Sequence, residues 1–565
     1  MDVVKPTWTT ALPDWEKRII AGESIVPCAP LYPAMANRAV EFFARLVLRD
    51  VMGQPRIGDV TRQWVYDFVG AIFGAQNPQT YRREINSFFL LISKKNGKST
   101  TAAAIMLTAM EMDPRESAEY LILAPTKEVA DNTFIPARDM ITLDPYLSVL
   151  YHIQPHTRTI TNTVTGSTLK VVAADDKTVG GKKATGILID ELHLFGKVAN
   201  AESMIAEATG GLLSRVDGFI IKLSTQSTEP PAGVFKAELD YARNVRDGVI
   251  NQPRYMPVLY EFPKAMVDSK AYENPDNFYI TNPNLGASVD TETLHAMQQA
   301  ALSKGGEAIT EFYAKHLNVE VGLNLRNDRW LGADFWQQTA NPNITLDWLI
   351  ENSEVICGGI DGGGLDDLLG LAFIGRCKHN PRRWYAWTHA WASPSVLERH
   401  KETAPRLLDF ERDGDLTITK KHGEEVPQLI DFCDHVRTSG KLSQIGADPL
   451  GLGTIQDSLE NAGYVAGQDL VGVSQGYKLS AAIVAAETRL AEGSLQHNGS
   501  AMMNWCVGNA KIQLSGNAQL ITKQLSGKSK IDPLMALLDA VNLMSLNPES
   551  AGTMDDYLNN MIMIA

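Results

Sequence analysis

Three groups of residues in this sequence could carry out phosphate chemistry. The first is Ser93–Ser99, SKKNGKS, followed by Thr100. Here the backbone N–H groups of Asn96, Gly97 and Thr100 and the start of a helix would face phosphates. Lys98 would reach the β and γ oxygens, and the Ser99 hydroxyl would hold Mg²⁺. The pattern G-x-x-x-x-G-K-[ST] needs glycine at 92, where this chain has Ile92, and a surface turn is the competing reading of the loop alone. The second group is Asp190-Glu191, which closes the apolar run Gly186–Glu191, GILIDE. Hydrolysis of a nucleoside triphosphate needs one carboxylate near Mg²⁺ and a second that orients the attacking water. An acidic pair after a strand also serves as a helix cap, but the two pieces in this order point to ATP hydrolysis. A cation must in addition neutralise charge on the transferred phosphoryl: Lys94 or Lys95 in cis, or Arg215 in cis or from a neighbouring subunit. The third group is Asp361, Asp448 and Asp532, hard oxygen donors suited to Mg²⁺ or Mn²⁺.

The elements that must position the first two groups alternate between strand and helix. Ser87–Ile92 reads as a strand running into the loop, and a helix opens at Lys98–Thr101. Glu119–Ala124 (EYLILA), Leu169–Ala173, Ile187–Asp190 and Phe219–Thr225 read as further strands, with a helix from about Lys127. Such alternation indicates an α/β fold with a mostly parallel sheet and ligands at the carboxyl ends of its strands. Ser224-Thr225-Gln226-Ser227 lies at such an end, where Thr225 could sense the γ-phosphate and pass hydrolysis on as motion; a strand-ending turn is the plainer reading. Gln63, on the amphipathic segment Val60–Gly74, could read both edges of adenine. It could equally face solvent.

The pattern changes at about Val355. Val355–Ile360 ends at Asp361, and Leu368–Gly375 and Trp384–Ala390 follow so closely that the three form an antiparallel meander. Helix-like and strand-like segments then alternate, Ser443–Ala447 ends at Asp448, and Asp532-Pro533 opens a final helix, Ile531–Ser545. This is the order of a ribonuclease H-like domain. In that fold acidic groups from the first strand, a later strand end and the last helix converge on two divalent ions roughly 3.5–4 Å apart. Each aspartate could also be a turn, a strand end or a cap. Asp539 is the rival of Asp532: seven residues make about two helical turns, or roughly 10.5 Å, so both can share a face but hardly one ion. Asp366 and Asp367 either assist or end the hairpin turn.

Bulk properties are those of an ordinary globular protein. The 565 residues allow two or three domains, and 44% hydrophobic and 21% charged residues are unexceptional. The expected division is a lead-in over residues 1–60, an ATPase domain over 61–325, a linker over 326–346 and a nuclease domain over 347–565. Five scattered cysteines without a C-x-x-C suggest a reducing compartment and no structural zinc. No apolar run approaches the roughly 20 residues of a membrane span, and no signal peptide is evident, so a cytoplasmic protein is expected. A net charge of −14 argues against a uniformly basic coat for nucleic acid. Local basic stretches remain at Lys177–Lys183, Arg376–Arg383, Lys420–His422 and Lys523–Lys530, each a candidate DNA contact or a solvated loop.

Taken together, SKKNGKS, ILIDELH, STQS, GGIDGGGLDDL and KIDPLMALLDA make the chain similar, over nearly its whole length, to the large terminase subunit of tailed bacteriophages. The Gln63 segment and Ala124-Pro125-Thr126 resemble family features as well. The resemblance implies a P-loop ATPase followed by a ribonuclease H-like nuclease, packaging double-stranded DNA into procapsids. It assigns ATP hydrolysis to Lys98, Ser99, Asp190 and Glu191, coupling to Thr225, and DNA cutting to Asp361, Asp448 and Asp532. It also implies a small terminase subunit, a portal protein, a ring of about five copies when packaging, and a host-cytoplasmic location. Ile92 and Asp448, where some relatives use glutamate, are departures. Two other readings compete: a helicase-like or restriction-type ATPase–nuclease of repair or defence, and a degenerate scaffold. No arginine-rich helicase motif follows Thr225, and the intact acidic and lysine groups argue against a scaffold.

Overall fold

The computed structural model describes residues 6–173, 184–198, 200–320, 330–448, 453–515, 518–521 and 530–549. The basic stretch 177–183 lies outside them, as does 523–529 of the other, leaving Lys530. The chain divides into two compact units, Met1–Val321 and Gly322–Ala565.

The first unit is built on an eight-stranded sheet. Its strands are β1 (Ser87–Leu91), β2 (Glu119–Ala124), β3 (Tyr151–Gln154), β4 (Thr159–Asn162), β5 (Thr168–Ala173), β6 (Ala184–Ile189), β7 (Phe219–Ser224) and β8 (Tyr255–Leu259). They lie in the order β3-β4-β5-β2-β6-β7-β1-β8, parallel except where β3, β4 and β5 form an antiparallel edge. The central strands are buried on both faces, hence their unbroken apolar runs. Helix Lys98–Met112 follows β1, and its buried alanines let it lie close to its neighbours. Helix Lys127–Leu143 follows β2, and Thr126 caps it by accepting a hydrogen bond from the Val129 amide. The lead-in contains helix Pro33–Arg45, which buries Ala36, Ala39 and Phe43.

The second unit holds the expected meander: β9 (Ser353–Gly362), β10 (Leu369–Cys377) and β11 (Trp384–Ala392). The strands β12 (Leu416–Ile418), β13 (Leu442–Ala447), β14 (Leu470–Gly472) and β15 (Leu495–His497) complete it. The sheet order is β12-β11-β10-β9-β13-β14, with β15 also on β11. β13 runs parallel to β9. The segment read as a linker is part of this unit. Trp330 and Trp336 are fully buried in its core, and Ile344, Leu346 and Leu349 pack on the other face of the sheet.

Helix Asp532–Ser545 is apolar except for Asp532, Asp539, Asn542 and its last residue Ser545, and it lies directly on the sheet. Glycines make the seat. A β-carbon at Gly359 would stand 2.0 Å from the Ala536 carbonyl oxygen, and one at Gly370 would stand 2.7 Å from Pro533 Cα. No side chain fits between strand and helix there.

Candidate functional sites

In the first unit, strand β1 delivers the loop Ile92–Gly97 to the carboxyl edge of the sheet, and strand β6 delivers Asp190 and Glu191 to the same edge. Lys95 and Gly97 both take positive φ, 73° and 75°, which bends the loop around the start of helix Lys98–Met112. Lys98 Nζ lies 2.8 Å from Glu191 Oε2 and 3.5 Å from Asp190 Oδ1. Burial alone would lower the lysine, but the charges of Glu191 and Asp190 outweigh it and hold Lys98 above its ordinary value. Asp190 is fully buried; Ser99 Oγ donates to its Oδ2 at 3.0 Å and Thr133 Oγ1 at 2.9 Å. A serine hydroxyl and a carboxylate in contact are the hard oxygen donors that a Mg²⁺ of a nucleotide complex takes, so these residues fit the ion. Glu191 has φ 53°, a left-handed backbone that a non-glycine residue adopts at a cost and that aims its side chain back at the loop.

A cleft of about 920 Å³ opens over this group. Lys94, Lys95, Gly97, Lys98, Ser99, Thr100, Glu191 and Thr225 all line it. Its lining also includes the apolar Leu48, Ile57, Val60 and Val65, interleaved with Asp50, Asp59 and Arg62. Two expected residues stand elsewhere. Gln63 is exposed and donates to Asp67 Oδ1 at 2.9 Å, while its neighbour Arg62 lines the cleft. Arg215 precedes β7 at the amino end of the sheet, a strand length of roughly 16 Å from the loop. Arg215 is not among the residues that line the cleft.

Sequence reading missed what clasps the loop. Asn96 is buried; its Nδ2 donates to Ser93 O (3.0 Å) and Asn282 Oδ1 (2.9 Å), and its Oδ1 accepts from the Asn284 amide (3.0 Å). Asn284 in turn accepts from Trp64 Nε1 at 2.7 Å, and Lys94 donates its amide to Lys315 O at 2.8 Å. After β7, the Gln226 amide donates to Asn318 Oδ1 at 3.1 Å. Asn282, Asn284 and Asn318 carry no local motif that could have marked them.

In the second unit, β9 and β13 pair Gly359 with Gly446 and Ile360 with Ala447. Carried one residue on, this register sets Asp361 beside Asp448 at the adjacent-strand spacing of roughly 4.8 Å. Asp361 also pairs with Gly370, whose open side faces Pro533, so its side chain points to the face covered by helix Asp532–Ser545. Asp532 comes to the same place: its Oδ1 lies 2.8 Å from where a β-carbon on Gly362 would be. Asp539 joins them too. Burial, then the charges of Asp361 and Asp448, push it well above the usual carboxylate range, while Gln475 Nε2 donates to its Oδ1 at 2.9 Å. Its buried Oδ2 has no hydrogen-bond partner among the described residues. Among those residues no three acidic, histidine or cysteine side chains stand close enough to grip one ion as they lie. The donor set nevertheless fits divalent metal, because like-charged carboxylates crowded in a buried place are neutralised by a hard cation. Of the hairpin acids, Asp367 pairs with Lys530 at 2.6 Å and Asp366 lies 2.9 Å from His400 Nε2.

Fold and sites thus define a P-loop nucleoside triphosphatase joined to a ribonuclease H-like nuclease. A model of the terminase large subunit ATPase domain matches residues 63–227, and one of the terminase large subunit endonuclease domain matches residues 258–547. The chain belongs to the terminase large subunit family and is the ATPase and endonuclease of phage DNA packaging, using ATP and divalent metal. It is 22% identical over 535 residues to the large subunit of Enterobacteria phage HK97, covering 92% of this chain and 98% of that one. It is 21% identical over 491 residues to that of Lactococcus phage p2, covering 86% of each. A relative in Escherichia coli K12, protein YmfN, is 23% identical over 301 residues, 51% of this chain and 63% of its own. The crystal structure of the HK97 bacteriophage large terminase aligns over 90% of this chain and 99% of its own, at 20% identity and a TM-score of 0.46. The family match sets aside the helicase-like and restriction-type reading. Among the described residues no helix is long and apolar enough to cross a membrane.

Proposed function

We propose that ATP binds in the cleft over Asn96–Thr100, and that Glu191 orients the water that attacks the γ-phosphate. The observation that carries this is the convergence of Lys98, Ser99, Asp190 and Glu191 at one sheet edge. Lys98 binds the β and γ oxygens, the backbone N–H groups from Asn96 to Thr100 hold the rest, and Ser99 with Asp190 would hold Mg²⁺. That ion, when bound, neutralises phosphate charge. Lys94 and Lys95, exposed on the loop, supply the additional cation in cis. Arg215, at the far edge, is kept for a role from a neighbouring copy. Thr225, buried at the cleft, senses the phosphate and couples hydrolysis to movement. Gln63, turned to Asp67, is not assigned to adenine; Leu48, Ile57, Val60 and Val65 offer it apolar contact.

For the nuclease, Asp361, Asp448, Asp532 and Asp539 would hold two Mg²⁺ or Mn²⁺, which supply an activated water and stabilise the leaving oxygen. Family membership supports the further partners: double-stranded DNA as the translocated and cut substrate, a small terminase subunit, a portal protein, a ring of about five copies, and action in the host cytoplasm. The test uses the full chain. Lys98→Ala should lose ATP hydrolysis and keep metal-dependent plasmid cleavage, and Asp361→Ala should do the reverse. A single change that removed both activities from a folded protein would sink the two-site assignment.

A further inference from the structure

His193 follows the acidic pair in ILIDELH and has no part in the roles above. Its side chain is largely buried against Phe235, ring centroids 6.3 Å apart. Nδ1 stands 3.3 Å from Glu191 Oε2 and 3.3 Å from Ser224 Oγ, the last residue of β7 and the first of the Ser224–Ser227 segment. A proton count fixes the imidazole. Ser224 Oγ accepts from the His193 amide at 3.0 Å and donates its one proton to Thr225 O at 2.8 Å. Nδ1 facing that oxygen and a carboxylate must therefore be the protonated nitrogen. That nitrogen bonds Ser224 Oγ, at the start of the Ser224–Ser227 segment, and lies 3.3 Å from the carboxylate that orients water.

We propose that His193 is a positioning residue for ATP hydrolysis, holding Glu191 in register with Ser224 and Thr225. The inference rests on the reading of Glu191 given above. A phosphate in the loop competes with Glu191 for Lys98, and Nδ1–H is the contact that keeps the carboxylate in place as Lys98 turns away. It also links the position of Glu191 to β7, so that a shift at either is felt by the other.

The test is steady-state ATP hydrolysis by the full chain with DNA, for His193→Ala, His193→Asn and His193→Leu. Asparagine offers an N–H near the Nδ1 position; leucine offers only bulk against Phe235. The expected result is a fall in kcat of about 10–100-fold for Ala and Leu, with KM for ATP within about twofold. Asparagine should restore kcat to within about threefold of wild type. Rescue by Leu and not by Asn, or a wild-type kcat in the alanine variant, would overturn the proposal. Glu191→Gln is the control: if it hydrolyses ATP normally, the reading of Glu191 fails; if it is inactive while His193→Ala is normal, only this inference fails.

Discussion

Lys98 Nζ and Glu191 Oε2 lie 2.8 Å apart, so the cation proposed to meet phosphate and the carboxylate proposed to orient water are paired with each other. Each keeps the other's charge compensated in a largely buried place. A bound triphosphate would offer Lys98 more negative charge than Glu191 does and would so release the carboxylate. Removing Lys98 leaves Glu191 without its cation and the phosphates without theirs. Lys98→Ala should therefore lower ATP hydrolysis at least about 100-fold, as loss of a charge-stabilising group does. Phosphate release measured with and without DNA checks this, and plasmid cleavage by the same variant should be unchanged.

The acidic centre of the second unit yields a metal-dependent outcome. Without metal, Asp539 is destabilising, because burial and the charges of Asp361 and Asp448 oppose its ionisation. Asp539→Asn should raise the stability of this unit in EDTA by about 1–2 kcal/mol and diminish the gain that Mn²⁺ gives the wild type. Urea melts with EDTA and with Mn²⁺ measure both. Asp361→Ala and Asp532→Ala should each abolish plasmid cleavage. A fully active Asp532→Ala variant beside an inactive Asp539→Asn variant would remove Asp532 from the ligand set and leave Asp539 in it.

Gly359 is a packing constraint of the nuclease. A β-carbon there would sit 2.0 Å from Ala536 O and 2.7 Å from the Ala540 amide nitrogen, both backbone atoms that cannot swing aside. Gly359→Ala should push helix Asp532–Ser545 off the sheet, cost about 3 kcal/mol or more, and misplace Asp532 and Asp539. Cleavage should fall while ATP hydrolysis persists, and calorimetry should show the lower-melting unit.

His497 sets a pH limit. It is buried, its ring stacks on Trp336 with centroids 3.7 Å apart, Nε2–H donates to Trp336 O at 2.7 Å, and Nδ1 accepts from the Gly499 amide at 3.1 Å. Burial lowers its pKa to about 4, and protonating Nδ1 would set two donors against each other. The folded value lies below the unfolded one of about 6.5, so its contribution is complete above pH 6.5 and is lost as pH falls toward 4. The loss amounts to about 3 kcal/mol at most. His497→Gln should flatten that slope in denaturant melts taken at pH 7, 5.5 and 4.5.

Where the sequence was informative, the relevant physics was local. A strand entering SKKNGKS, a strand ending in Asp190-Glu191 and a meander opening at Val355 are each written within a few residues, since periodicity and turn chemistry act over that range. The third carboxylate was harder to read, because Asp532 and Asp539 share one helix and only packing sets how each approaches Asp361. Trp330 and Trp336, polar-flanked in the chain, look like a boundary and are core, because their burial depends on strands and helices far along the sequence.

The sequence by itself determined the two chemistries and the order of their strands and helices, and it marked Lys98, Ser99, Asp190, Glu191, Asp361 and Asp448 as candidates. Tertiary structure decided the rest. Asn282 reaches Asn96 across 186 residues, Arg62 rather than Gln63 lines the cleft, and Arg215 stands before the amino end of β7. Gly359 and Gly370 acquire meaning only once a helix lies on them. The reason is physical: chemistry is carried by residue type and near spacing, whereas placement is set by long-range packing, which no short stretch of chain contains.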